Sequence, residues 1–273
     1  MTKPNIVFTD IDGTLLNADR DLSEATLSIV EKIKKDIPFV LVSARMPKQM
    51  KHIQEKLGVG YEPLIAYNGA LVLVDNKPVH SVEVPLETAE YLMEYNESNP
   101  KGQFHISLYH HDEWYAPQND FWAKREENNT KVTPEFLSNK EAIAKFKSEG
   151  KGLHKINCMG DADLIEEAFA HFKEKFENDL HLYRAKDTYI EIAPKEVSKL
   201  TGIKKVFEFK YPQFITEDVI AFGDNYNDAE MIGNVGWGIA VENARDEVKA
   251  VAKDITAHHK EDGVAKYLTK VFS

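Results

Sequence analysis

Residues Asn5 to Leu16, Asn-Ile-Val-Phe-Thr-Asp-Ile-Asp-Gly-Thr-Leu-Leu, constrain this chain more than any other stretch. Ile6, Val7 and Phe8 form a short apolar run, the pattern of a strand buried on both faces in a parallel sheet, and it leads directly into Asp10 and Asp12. Carboxylates at the end of such a strand are unfavourable unless something uses them. In open α/β sheets ligands collect beyond the carboxyl ends of the strands, so both acids are expected to project into a site. Gly13 permits a tight turn, and Thr14 offers a hydroxyl to hold the loop. Taken alone, Asp-x-Asp-Gly-Thr also fits an Asx-turn that satisfies backbone amides. A calcium loop is disfavoured, because Leu15 and Leu16 stand where an EF-hand needs oxygen ligands.

Further segments repeat the pattern of a buried strand ending in polar groups. Ser23 is a good N-cap for a helix carrying Leu27, Val30 and Ile33 towards a core. Phe39 to Val42 is a second buried strand, ending at Ser43-Ala44-Arg45, and the strand-helix-strand order requires it to lie parallel to the first. Ser43 is therefore expected at the same sheet edge as Asp10, where its hydroxyl and the next amide suit an anion or simply cap a helix. Leu64 to Tyr67, Leu71 to Val74 and Val79 to Val82 read as strands, with Asn68-Gly69-Ala70 and Asp75-Asn76 as turns. Asn68 either marks its turn or faces a substrate. Val219 to Phe222 is a buried strand that ends in the acid-rich loop Gly223-Asp224-Asn225-Tyr226-Asn227-Asp228. Ile239 to Val241 and a helix over Lys260 to Val271 close an α/β core built from both ends of the chain.

The middle has a different texture. Phe104 to Tyr109 and Lys155 to Met159 read as strands, and Leu86 to Asn96, Lys140 to Lys147 and Ala162 to Phe176 as helices, with Phe121, Trp122 and a charged run to Asn129 between them. The expected organisation is a core over 1–84 and 188–273, the latter opening with a strand at Tyr189 to Ile192, interrupted by an α+β domain over 85–187. Asp161 and Asp163 repeat the acid pair but open a helix, where they cap it and complement its dipole. The pairs His110-His111 and His258-His259 are poor chelates, since adjacent side chains diverge, and are assigned to solvated surface.

The formal net charge of -11 argues against nucleic acid or anionic membrane as the main partner. The single cysteine, Cys158, forbids an intrachain disulfide and suits a reducing compartment; its neighbours Ile156 and Met159 place it in a core. No signal-like segment or membrane-length apolar run is present, so the expectation is a soluble cytoplasmic protein.

Asp10-Ile11-Asp12-Gly13-Thr14, Ser43-Ala44-Arg45, Pro194-Lys195-Glu196-Val197-Ser198-Lys199 and Gly223-Asp224-Asn225-Tyr226-Asn227-Asp228, in this order, resemble the four motifs of the haloacid dehalogenase-like phosphohydrolases. The insertion between the serine and lysine motifs resembles the Cof-type branch. The resemblance implies a Rossmann-like parallel sheet core with an inserted α+β cap domain. It implies a Mg²⁺-dependent phosphatase of small soluble phosphate monoesters, a sugar phosphate or a phosphorylated cofactor, working through an aspartyl-phosphate. By the same resemblance Asp10 is the nucleophile and Asp12 the proton carrier. Mg²⁺ falls to Asp10, the Asp12 carbonyl and Asp224; the transferring phosphoryl group to Ile11, Ser43, Ala44, Lys199 and Asn227; and supporting roles to Thr14 and Asp228. Ser43-Ala44-Arg45 departs from the common Thr-Gly-Arg but keeps the hydroxyl and the amide, while Glu196 and Leu200 replace family glycines. A mutase or phosphotransferase, and a non-catalytic phosphate-binding protein, are the competing readings. Residues His105 to Trp114 either line the leaving group or form cap core.

Overall fold

The structure, a computed structural model, describes residues 3–272. It forms two compact units, Met1–His80 with Ser198–Ser273, and Ser81–Val197. The chain runs through β1 (Ile6–Thr9), α1 (Glu24–Ile33), β2 (Phe39–Val42), α2 (Lys48–Leu57), β3 (Leu64–Ala66), β4 (Leu71–Val74) and β5 (Lys77–Ser81). The inserted unit adds α3 (Leu86–Ser98), β6 (His105–His110), β7 (Glu113–Ala116), α4 (Phe121–Thr130), β8 (Glu135–Phe136), α5 (Asn139–Ser148), β9 (Lys155–Met159), α6 (Ala162–Phe176), β10 (Leu180–Lys186) and β11 (Tyr189–Pro194). The first unit then resumes with α7 (Lys199–Phe209), β12 (Val219–Gly223), α8 (Ala229–Asn234), β13 (Trp237–Val241), α9 (Asp246–Val251), β14 (Asp254–Thr256) and α10 (Gly263–Phe272).

The first unit is organised on one sheet of order β14-β13-β12-β1-β2-β3-β4-β5. Neighbours from β14 to β3 are parallel, and β4 returns antiparallel to β3. β1 lies inside the sheet, with Phe8 opposite Ala221 on one side and Val40 on the other. Its burial on both faces explains the unbroken Ile-Val-Phe run. The Phe8 ring meets Phe207 of α7, and Phe222, paired with the adjacent Thr9, meets Tyr267 of α10. Since successive side chains leave opposite faces of a strand, these two contacts establish a helical layer on each face.

The inserted unit carries a second sheet, β10-β11-β9-β6-β7-β8, antiparallel except between β7 and β8. Ile106, Leu108, Ile156, Cys158, Ile190 and Ile192 share its apolar face, packed with Leu92, Phe146 and Phe172 of the helices. Burial pushes the Cys158 thiol up, so it stays protonated and inert.

The structure corrects several expectations. Tyr189 to Ile192 was expected in the second part of the core, but β11 pairs with β9 and β10 of the inserted unit. Its Tyr-Ile-Glu-Ile alternation is that of an antiparallel strand, whereas the central core strands β1, β2 and β12 are buried at every position. The charged run after Phe121 is helix α4, with Asp120 accepting from the amides of Trp122 and Ala123. Its buried face is too narrow to give an apolar period, and the N-cap was its one local signal. Asp161 precedes α6 without a side-chain cap hydrogen bond. Leu27 is only half-buried, while Thr26 and Ile29 turn inward. The histidine pairs are not plain surface: His110 Nδ1 donates to the Gly152 carbonyl, and His259 Nδ1 to that of Leu16.

Candidate active site

β12, β1 and β2 are adjacent and parallel, so Asp224, Asp10 and Ser43 emerge at one edge of the sheet. Beyond Asp10 the backbone turns sharply through Gly13, at φ +81°. A Cβ there would stand 2.5 Å from Asp224 Oδ2, so both the backbone angle and the close approach require glycine. Thr14 Oγ1 donates to Asp224 Oδ1 at 3.0 Å, and Asn243 Nδ2 donates to the Gly13 carbonyl at 2.8 Å. The first loop and the Asp224 loop are thereby locked together.

Lys199 arrives at the start of α7. Ser198 caps this helix by accepting from the Thr201 amide, and a Cβ on Gly69, at φ +101°, would meet the Ser198 carbonyl at 2.2 Å. The absence of that carbon lets the first turn of α7 rest directly on the turn after β3. A lysine in a helix's first turn opposes the dipole, and a buried ammonium is tolerable only when paired. Lys199 is fully buried, and its Nζ donates to Asp10 Oδ1 at 2.5 Å and Asp228 Oδ1 at 2.6 Å. The other Asp228 oxygen accepts from the amides of Asp224 and Asn225, both at 3.0 Å, which fixes the loop's curvature.

Ligand-capable oxygens of Asp10, Asp224 and Asp228 lie within 4.8 Å of one another. Burial, with Asp228 and Asp224 close by, pushes the Asp10 carboxyl well above the carboxylate range despite Lys199. Burial and the Asp228 charge push Asp224 up to about 7. Burial alone would lower the Lys199 pKa, but the two carboxylates it bridges raise it. Fully ionised, the three carboxylates would exceed the one ammonium by two negative charges, the charge of one divalent cation, and without a cation that excess adds to burial in favouring the protonated acids. The donors are all hard oxygens, so the set fits Mg²⁺ and offers nothing selective for zinc.

Asp12, two residues from Asp10, faces a different environment. Arg45 Nε donates to Asp12 Oδ2 at 2.7 Å and Arg45 Nη2 to Oδ1 at 2.8 Å, while Arg20 Nη2 reaches Oδ1 at 3.1 Å. Burial would raise this carboxyl, but the arginine hydrogen bonds and charges outweigh it and hold its pKa below the usual range. Ser43 Oγ accepts from the Arg45 amide at 3.2 Å, and the Ser43 carbonyl accepts from the Asn68 amide at 2.9 Å. Asn68, at φ +56°, accepts at its side-chain oxygen from Asn227 Nδ2 at 2.9 Å.

The structure thus gathers Asp10, Thr14, Lys199, Asp224 and Asp228 into one hydrogen-bonded cluster, and joins Ser43 to Asn227 through Asn68. Ile11 is buried in the turn after Asp10, and Ala44 sits between Ser43 and Arg45. The Asp12 carboxylate is held by Arg45 and Arg20 outside the Asp10, Asp224 and Asp228 set, though its charge still acts on Asp224, and Lys195 is exposed, its Nζ donating to the Glu177 carbonyl. Sequence reasoning assigned no part to Arg45, Arg20 or Asn243. Arg45 stood within a motif and could have been marked; the other two carried no local signal.

A family model described as haloacid dehalogenase-like hydrolase matches residues 7–268. The chain belongs to this family. A Haemophilus influenzae relative whose name says phosphatase and gives no substrate is 32% identical over 97% of both chains. The 5-amino-6-(5-phospho-D-ribitylamino)uracil phosphatase of Bacillus subtilis is 28% identical, over 100% of this chain and 99% of its own. A haloacid dehalogenase-like hydrolase from Bacteroides thetaiotaomicron has the same fold, with a TM-score of 0.88, 23% identity and coverage of 99% and 100%. This haloacid dehalogenase-like hydrolase is a phosphoric monoester hydrolase of the Cof-type branch. Among its described residues no helix is long and apolar enough to cross a membrane.

Proposed function

We propose that this hydrolase is a Mg²⁺-dependent phosphatase that acts on small phosphate monoesters in the cytoplasm, with Asp10 as the nucleophile and with neither nucleic acid nor membrane as partner. The observation that carries the reading is the Lys199 bridge between Asp10 and Asp228, with Asp224 beside it, at the end of the central strand. A phosphate monoester is anionic, so a carboxylate attacks it only where the surrounding charge favours the approach. Asp10, Asp224 and the Asp12 carbonyl would hold Mg²⁺, which supplies the positive charge that offsets the ester's oxygens. Lys199, Asn227, the Ser43 hydroxyl and the backbone of Ile11 and Ala44 would hold the transferring group.

In the first step an Asp10 oxygen forms a bond to phosphorus as the ester P–O bond breaks, and the leaving alkoxide takes a proton from Asp12. In the second, Asp12 takes a proton from water as that water attacks phosphorus, and the Asp10–phosphate bond breaks to return the free carboxylate. One water is consumed, and an alcohol and phosphate are released. The inserted unit, read from sequence as 85–187 and compact in the structure over Ser81–Val197, would act as the cap that selects the leaving group. A sugar phosphate or a phosphorylated cofactor is the proposed substrate class, consistent with the ribityl phosphate named for the Bacillus subtilis relative.

The test is turnover of p-nitrophenyl phosphate with added Mg²⁺, compared between the native enzyme and Asp10→Asn. The expected result is loss of turnover by at least about a thousandfold, as for other residues that act as covalent nucleophiles. Mass spectrometry of acid-quenched enzyme should find phosphate on the peptide containing Asp10. Undiminished turnover in the variant removes Asp10 from this role.

A further inference from the structure

Arg45 lies at the turn that follows β2, and its side chain is buried, at 7% exposure, against 46% for Arg20. Its guanidinium meets both oxygens of Asp12 in the two-point geometry that fixes a carboxylate in plane as well as in place. A third arm, Nη1, donates to the Gln49 carbonyl at 3.2 Å. Its backbone is held as well, since its amide donates to Ser43 Oγ and its carbonyl accepts from the Tyr67 amide at 3.1 Å. The Asp12 carboxylate is therefore held at both oxygens from the end of β2, while its own connecting segment adds the single contact from Arg20 to Oδ1.

We propose that Arg45 is the positioning residue for Asp12, aligning its carboxylate for proton transfer to the leaving group and from water. This rests on the reading of Asp12 as the proton carrier. The two oxygens are not equivalent: Oδ1 meets one N–H from each arginine, whereas Oδ2 meets only Arg45 Nε among the described residues. Oδ2 keeps the greater lone-pair capacity and is assigned the proton. Arg20, half exposed, gives Asp12 a one-point contact at Oδ1 where Arg45 gives two, and contributes less to the alignment.

Leaving groups that depart without protonation separate this role from a merely structural one. The probes are p-nitrophenyl, phenyl and p-methoxyphenyl phosphate, and the readout is kcat/KM, which covers the steps through departure of the phenol. Arg45→Gln is expected to lower kcat/KM for the p-methoxyphenyl ester by about a hundredfold, the lower range for loss of a proton carrier, and for the p-nitrophenyl ester by under about threefold. Arg45→Lys, which restores a positive charge without the planar two-point fork, should recover part of the loss on the poor leaving group. Equal losses across the three esters, or no loss, overturn the proposal. Asp12→Asn is measured beside it. If Asp12→Asn depends on the leaving group and Arg45→Gln does not, the Arg45 role fails while the reading of Asp12 stands; if Asp12→Asn loses nothing on the poor leaving group, that reading itself fails. Should Arg45→Gln not fold, Arg45→Lys across the same series decides: a loss on the poor leaving group alone supports the role, and a uniform loss overturns it.

Discussion

Asp10 and Asp12 are two residues apart, yet the charge around them is reversed. At Asp10 one buried ammonium serves three carboxylates; at Asp12 two guanidiniums serve one. Burial, helped by the Asp228 and Asp224 charges, raises the Asp10 pKa against the pull of Lys199, while the arginines overcome burial and lower the Asp12 pKa. Gly13, immediately after Asp12, lets the chain pass close against Asp224 of the acidic cluster. A carboxylate short of cationic partners is suited to a metal and an electrophile. One already ion-paired rests as a base and must be protonated before it can serve as an acid.

The largest expected effect comes from removing the shared cation. Lys199→Met leaves Asp10 and Asp228 buried without their partner, and breaking a buried pair in this way destabilises by about 3–5 kcal/mol. Urea unfolding at neutral pH should show that loss together with loss of turnover. Retained stability would mean that the carboxylates of this cluster do not depend on the ammonium.

Next in size is the pH dependence of stability in chelator-treated protein. The folded pKa of Asp224, about 7, lies above the unfolded value near 3.9, so its contribution is fully present below about 4 and is lost as pH rises through 7. Added Mg²⁺ should stabilise increasingly over the same window, because cation and proton compete for the carboxylate. Thermal denaturation at several pH values, with and without Mg²⁺, checks both slopes. A Mg²⁺ effect independent of pH would separate Asp224 from the metal.

A smaller effect is expected at the turn that follows Asp12. Gly13→Ala forces a side chain into positive φ and against Asp224 Oδ2, a strain of about 1–3 kcal/mol that should also weaken Mg²⁺ binding, measurable by titration calorimetry. Smallest is Arg20→Gln, which removes a half-exposed pair worth about 0–1 kcal/mol; its urea midpoint should barely move.

The centre of the fold was legible because β1, β2 and β12 are buried on both faces, and such strands advertise themselves as unbroken apolar runs ending in chemistry. The inserted unit was harder to read for the opposite reason. β11 shows one face to its core and alternates, a pattern that speaks for an antiparallel strand but names no partner, and α4 is bounded by an N-cap in place of an apolar stripe. At the site, acids at strand ends were visible, but the partners that fix their charge come from elsewhere. The spacing of Asp12 and Arg45 does not encode a two-point bridge, and Asn243 reaches Gly13 across a separation that only the sheet order explains. Asn68, noted only as a turn residue that could face a substrate, links Asn227 to Ser43 because its positive φ turns its amide and side chain to two different strand ends.

The order of strands also bears on how the protein is made. β1 emerges from the ribosome well before β12, yet Ile6 pairs with Val219, and Asp10 meets its ammonium only at Lys199. The whole inserted unit is synthesised between them. A nascent chain therefore carries an apolar strand open along one side, and a carboxylate without its counter-ion, until translation has passed β12, so the site cannot be complete before that strand has joined the sheet.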